Sequence, residues 1–177
     1  MAPKSKKLNK IYNISESRVL SANKDPDSGL VIFIQDLVSS KKVEIPAKRW
    51  VALTRHIDNI DRAVKEMVEN KYVKLETHIG GLWYVSVTTG FRCVDLRKFF
   101  IPYGTCEPKP TRDGIALRLP EWQMFKEIVK QLHVDKPELN DIVPCFEQLD
   151  HQNLDGAMSC PECGEVLTAA VSASTMS

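Results

Sequence analysis

Val43-Glu44-Ile45-Pro46-Ala47-Lys48-Arg49-Trp50 and Ile115-Ala116-Leu117-Arg118-Leu119-Pro120-Glu121-Trp122 are built on one plan: alternating apolar strand residues, a proline, then a tryptophan, with the two tryptophans 72 positions apart. Internal similarity of this kind means that one supersecondary unit occurs twice. After each tryptophan the apolar residues step by three and four, through Leu53, Ile57, Ile60, Val64 and Met67 in the first copy and Phe125, Val129 and Leu132 in the second. That step belongs to a helix with one apolar seam, and Pro46 or Pro120 stands near its first turn, where a missing N–H costs little. Arg55, Asp58, Arg62 and Glu66 mark the opposite, charged face of the first helix. The two seams are expected to pack on each other or on a sheet.

Strand signals precede each helix. Gly29 to Gln35 is a short apolar run, and a turn at Ser39-Ser40-Lys41-Lys42 leads into Val43 to Ile45. The second copy is fuller: Tyr72 to Thr77, a Gly80-Gly81 turn, Leu82 to Val87, a turn near Thr89-Gly90, Phe91 to Phe100, a proline-rich loop, then Gly114 to Leu119. Four strands and a helix form the complete unit. The first copy reads as an abbreviated version, with Ile11 to Leu20 as the source of one further strand.

The chain of 177 residues has 43% hydrophobic residues, enough to bury a core, and a formal net charge of only +1. That average hides an asymmetry. From Asp135 to Glu165 eight acids stand against Lys136 alone, a net of −7, which leaves about +8 for the rest. Lys4, Lys6, Lys7 and Lys10 crowd the N-terminus. A basic body with an acidic C-terminal segment is the expected charge plan. No apolar run approaches the roughly 20 residues that span a bilayer, so a soluble, intracellular protein without a membrane partner is expected. Pro3 to Lys7 fits either a signal for nuclear import or a solvated end.

Trp83-Tyr84-Val85-Ser86-Val87, Val94-Asp95-Leu96-Arg97-Lys98-Phe99-Phe100, Lys109-Pro110-Thr111-Arg112-Asp113-Gly114-Ile115-Ala116-Leu117 and Pro120-Glu121-Trp122 succeed one another in the middle third of the chain. In that order they resemble the YVSV strand, the IDIRE strand with its aromatics, the KPGRKGISL segment and the PEQW helix start of the C-terminal domain of positive cofactor four, a transcriptional coactivator family. The resemblance implies an α+β fold of curved antiparallel sheets, each followed by a helix, with helices paired at a dimer interface and β-ribbons gripping single-stranded DNA. Two units in one chain then imply an intramolecular pseudo-dimer, the chain acting either as a monomeric pseudo-dimer or as a homodimer. Residue by residue, the family's ribbon-tip aromatic and its neighbour fall on Phe91 and Arg92, its strand arginine on Arg97, its stacking ring on Phe100, and its loop cations on Lys109 and Arg112. The family's second loop lysine is Asp113 here, and the ribbon between Val87 and Val94 is shorter. Both departures weaken phosphate attraction or change the preferred ligand.

These residue types suit the task. Single strands are held without sequence readout by cations on the backbone and flat rings under the bases. Residues two apart on a strand share a face, so Arg97 and Phe99 lie on one side and Lys98 and Phe100 on the other, and alternation alone leaves open which side is wet. The sequence equally allows Arg97 to pair with Asp95. The first copy, with Lys41 and Lys42 but no stacking ring at a ribbon tip, reads mainly as scaffold.

Five cysteines, an odd number unevenly placed, fit reduced thiols or a metal site better than a disulfide framework. Cys160-Pro161-Glu162-Cys163-Gly164 has the form of a zinc knuckle, and Cys145 and His151 are the nearest further ligands for a structural zinc. Its alternative is a surface thiol pair without metal; Cys93 and Cys106 read as ordinary strand and loop residues. No nucleophile, phosphate-loop or paired-carboxylate motif surrounds His56, His78 or His133, so no enzyme is expected. The organisation expected is a disordered basic tail over 1–10, an abbreviated unit over 11–70, a complete unit over 71–135, an acidic cysteine and histidine segment over 136–165, and a disordered tail over 166–177. The function expected is single-stranded DNA binding, on free strands or melted duplex, by a nuclear coactivator-like factor in contact with transcription proteins. The alternative is a protein-interaction adaptor that keeps the fold without the nucleic acid.

Overall fold

A computed structural model describes residues 9–148 and Cys160; the basic tail, most of the cysteine segment and the C-terminal tail fall outside the described residues. The chain is α+β. Four strands, β1 (Ile11–Asn13), β2 (Arg18–Asp25), β3 (Gly29–Asp36) and β4 (Lys42–Pro46), form one antiparallel sheet, followed by α1 (Ala47–Arg55) and α2 (Ile57–Val68). A second antiparallel sheet holds β5 (Lys74–His78), β6 (Trp83–Thr88), β7 (Cys93–Phe100) and β8 (Lys109–Arg118), followed by α3 (Leu119–Asp135). Both sheets run in simple sequence order, each strand paired to the next. None of the described helices is long and apolar enough to cross a membrane.

The first unit is therefore not abbreviated in its strands. β2, Arg-Val-Leu-Ser-Ala-Asn-Lys-Asp, escapes a propensity reading because Ser, Ala, Asn and Lys are weak strand formers. It is made a strand by pairing along its whole length with β3, from Arg18 opposite Asp36 to Asp25 opposite Gly29. The hairpin closes through the Asp25 carboxylate, which accepts from the N–H groups of Asp27 and Ser28. In the second sheet the strand expected from Gly114 begins earlier, at Lys109, and runs through part of the proline-rich stretch.

The single helix expected from Trp50 to Met67 is two helices, broken at His56. Thr54 Oγ1 donates to Val51 O at 2.7 Å, and the His56 N–H closes a tight turn onto Leu53 O. The break has a structural consequence. α1 lies on its own sheet at β3 and β4, whereas α2 crosses to β5 and β6 of the second sheet. Leu20, Ile32, Ile34 and Ile45 from the first sheet, Val85, Val87, Leu96 and Leu117 from the second, and the helical residues Trp50, Ile60, Trp122 and Phe125 are buried in one continuous core.

Two reciprocal bonds tie the units together. Trp50 Nε1 donates to His133 Nε2 at 3.2 Å, and Trp122 Nε1 donates to Asp61 Oδ1 at 2.8 Å. Each acceptor stands eleven positions beyond the other unit's tryptophan. Because His133 Nε2 accepts, its Nδ1 carries the proton and donates to Asn140 Oδ1 at 2.9 Å. The same reciprocity holds one residue earlier. Glu121 of the second unit accepts from Arg18 of the first at 2.9 Å, and Arg49, its counterpart 72 positions upstream, lies against the Gly80-Gly81 turn of the second. Arg49 is the one buried charged residue among those described. Gly80 has φ +96°, which favours glycine, and a Cβ there would stand 2.2 Å from an Arg49 guanidinium nitrogen and displace it.

Candidate nucleic-acid interface

The second sheet settles which face is wet. Val94 and Leu96 of β7 and Val85 and Val87 of β6 are buried on the helix side, which turns Asp95, Arg97 and Phe99 to the outer face. There Tyr84 stacks on Phe99 with ring centres 4.6 Å apart, and His78 leans on Tyr84 at 4.9 Å. Burial pushes the His78 imidazole below its ordinary pKa and the nearby Arg49 charge adds to the effect; burial and the Glu76 carboxylate raise the Tyr84 phenol. These rings cover one another more than they offer faces to a ligand.

Arg97 is held in place. Its Nε and Nη2 donate to the two oxygens of Asp95, each at 3.0 Å, and its Nη1 donates to Thr111 O at 2.9 Å. The hydrogen bonding to Asp95 is the main reason the guanidinium pKa is raised further. Beneath it Gly114 leaves the room: a Cβ there would meet Arg97 Cγ and Leu96 O, each at 2.7 Å. The bland pairing that the sequence allowed for Arg97 is the one observed.

Beyond Arg97 the ladder slips. Arg97 pairs with Gly114, but Phe99 pairs with Pro110 and Phe100 with Lys109, so three residues of β8, Thr111 to Asp113, stand against Lys98 alone. This bulge is fastened by Thr111 Oγ1, which donates to Lys98 O at 2.6 Å and accepts from the Asp113 N–H at 3.1 Å. Arg112 is on the bulge, exposed, and makes no ion pair among the described residues. Phe100 is 47% exposed opposite Lys109, whose 3.5 Å ion pair with Glu107 is itself solvent-exposed and of small energetic weight. Tyr103, in the Pro102-Tyr103-Gly104 turn just beyond β7, is fully exposed. Lys98, Lys109 and Arg112 thus share one end of the sheet with two open rings, against the carboxylates of Glu107 and Asp113.

Phe91 and Arg92 are elsewhere. Phe91 is 68% exposed in the turn before β7, close to nine strand residues, about 30 Å, from Phe100. The six residues expected to form one surface therefore divide: Phe100, Lys109 and Arg112 lie at the far end of β7 and β8, Arg97 is near them in the strand but on the outer face with its fork filled by Asp95, and Phe91 with Arg92 stays at the near tip.

Lys98 and Tyr103 were not among the residues expected from sequence. Tyr103 had a signal, an aromatic between proline and glycine where no strand or helix can carry its ring inward. The first unit, expected mainly as scaffold, borders the same region. Lys42, Val43 and Glu44 of β4 line a cleft of about 320 Å³ together with Trp83, Lys98 and Asp113 of the second sheet. A neighbouring cleft of about 230 Å³ has Arg18, Asp36 and Lys41 on one wall and Arg97, Gly114 and Ala116 on the other. On the first sheet's outer face, Lys42 Nζ sits 4.0 Å over the ring of Phe33.

Of the residues expected to bind zinc, Cys145 and Cys160 are brought together, their sulfurs 3.0 Å apart; His151 and Cys163 lie outside the described residues. Among the described residues no group of three or more histidine, cysteine or acidic side chains is placed to hold a metal. Cys93 opens β7 and Cys106 lies in the loop before β8. Comparison with protein-family models, curated proteins and solved structures found no match for this chain.

Proposed function

We propose that this chain is a non-enzymatic binder of single-stranded nucleic acid, a coactivator-like factor of the positive cofactor four type in which two units of one polypeptide stand in for two subunits. The observation that carries the reading is the opposition of Phe100 and Lys109 across β7 and β8, with Lys98, Arg112 and the open ring of Tyr103 at the same end. Rings and exposed cations at one strand end are what a base and its phosphate require. The intramolecular pseudo-dimer is supported by the reciprocal tryptophan bonds and by the helix seams. Trp50, Leu53, Ile60, Trp122, Phe125 and Leu132 are all buried within one chain, which supports the pseudo-dimer.

Arg97 favours the second reading, an adaptor that keeps the fold without nucleic acid, because its fork is already filled by Asp95. A fluorescence anisotropy titration with a labelled single-stranded oligonucleotide separates the two. Three phosphate contacts predict affinity falling about 20-fold between roughly 50 and 200 mM salt. Absence of binding at the lower salt rejects the binder and leaves the adaptor.

A further inference from the structure

The edges of the two sheets are finished differently. β4 and β8 lie against each other where the sheets meet. β1 has only three residues, and Lys10 just before it is tied to Asp135. β5, Lys74–His78, pairs with β6 on one side, and among the described strands none lies on its other side.

The direction of its backbone groups follows from the bonds at its two ends. Thr89 N–H donates to Val73 O and Ile79 N–H donates to Trp83 O, each at 2.9 Å. Bonded and unbonded pairs alternate along an antiparallel ladder, so Val73, Leu75, Thr77 and Ile79 turn their N–H and C=O groups to β6. Lys74, Glu76 and His78 turn theirs to the open edge. The helix side of that edge is unfilled as well. Asn59, Arg62 and Glu66 of α2 face Val73, Leu75 and Thr77 across a cleft of about 330 Å³, and Tyr72 beside it is 79% exposed.

An edge of this kind pairs with another chain unless proline, a bulge or charges of one sign blunt it, and β5 has none of these. Its own sequence selects the occupant. Lys74 and Glu76 flank Leu75, so a second copy laid antiparallel with Leu75 opposite Leu75 sets each Lys74 against the Glu76 of the other copy. Lys74 and Glu76 both point their backbone groups outward, and in this register each pair also exchanges main-chain hydrogen bonds. The neighbouring two-fold registers fail: one sets Lys74 against Lys74, the other Glu76 against Glu76. Both leucines fall on the helix side, where the clefts receive them.

We propose that β5 is a contact between two copies of this chain, joined edge to edge about a two-fold axis at Leu75 into one continuous sheet with four strands from each. The contact is separate from the helix seams that join the two units within a chain. A single strand pairing is smaller than a standard interface, so the dimer forms reversibly and depends on concentration.

Sedimentation velocity of the full-length protein at low salt should show monomer passing to dimer as concentration rises. Glu76→Pro removes an outward N–H, leaves the ladder to β6 intact, and should abolish the dimer. K74E and E76K each set like charges opposite one another and should weaken self-association about ten-fold. An equimolar mixture of the two should recover it, because the glutamates of one strand then face the lysines of the other. These side chains are exposed, so the reversals leave the fold intact. A dimer that withstands Glu76→Pro, or a mixture that associates no better than its components, overturns the proposal. Monomer at every concentration overturns it too and leaves the edge to an extended segment of another protein.

Discussion

In the first unit a tryptophan donates to a neutral imidazole, Trp50 to His133; in the second the matching tryptophan donates to a carboxylate, Trp122 to Asp61, which Lys126 also holds at 2.8 Å. The geometry is repeated and the chemistry is not. The sheets differ in the same way. Their helix-facing residues are interchangeable aliphatics, but β4 has five residues and β8 has ten. The additional length carries β8 past the core, where it raises the bulge bearing Arg112 and sets Lys109 opposite Phe100. The half of each unit that builds the core is shared, and the part that distinguishes the second unit extends into solvent.

Replacing either tryptophan tests whether the repeat is energetically as well as geometrically equal. Trp50→Ala and Trp122→Ala, both at fully buried sites, should each cost about 3–5 kcal/mol in chemical denaturation. A small cost at one site alone would break the equivalence of the units. Gly80→Ala attacks the contact made by Arg49 and should cost about 1–3 kcal/mol, through a strained backbone and a displaced guanidinium together. For ligand binding the units should separate. Phe100→Ala should weaken single-strand affinity roughly 5- to 150-fold, the equivalent of one base stack of about 1–3 kcal/mol, while Phe33→Ala, whose ring is already covered by Lys42, leaves it nearly unchanged. Equal losses would mean that the first sheet binds as well. A finer contrast comes from conservative changes: Trp122→Phe should destabilise by about 1 kcal/mol more than Trp50→Phe, because the acceptor it abandons is charged.

The smallest expected effect concerns the clasp between β1 and the end of α3. Lys10 Nζ and Tyr12 Oη donate to Asp135 Oδ2 at 2.6 and 2.5 Å, and these bonds, that from Lys10 first, hold the carboxyl down at about 2. A carboxyl depressed in the folded state stabilises above its unfolded value of 3.8, and that contribution fades as pH falls through the folded one. Asp135→Asn should therefore lower the melting temperature by a constant amount near neutrality, and the gap should close between about pH 4 and pH 2. A gap independent of pH would mean that the clasp acts only through packing.

Much of the fold is legible in the sequence. The tryptophan-centred repeat, the helix seams and all four strands of the second unit follow from local pattern, because buried periodicity leaves its period in the sequence. β2 is obscured by weak strand formers, and the break at His56 by a seam that continues through it in number although not in space. At the candidate interface the residue types of Arg97, Phe100, Lys109 and Arg112 are readable, but their accessibility is not. Asp95 lies two residues from Arg97 whatever the fold, yet only the shared outer face makes the pair close.

By itself the sequence determined that an α+β unit occurs twice and where its core faces lie, since apolar spacing is set by the helix and strand periods. Tertiary structure alone decided that α2 leaves its own sheet for the other, that the bulge opposes Arg112 to Lys98 while Phe91 stays about 30 Å away, and that Cys145 meets Cys160. Those are distances between residues remote in the chain, and they are fixed by how the layers pack, which no local pattern records.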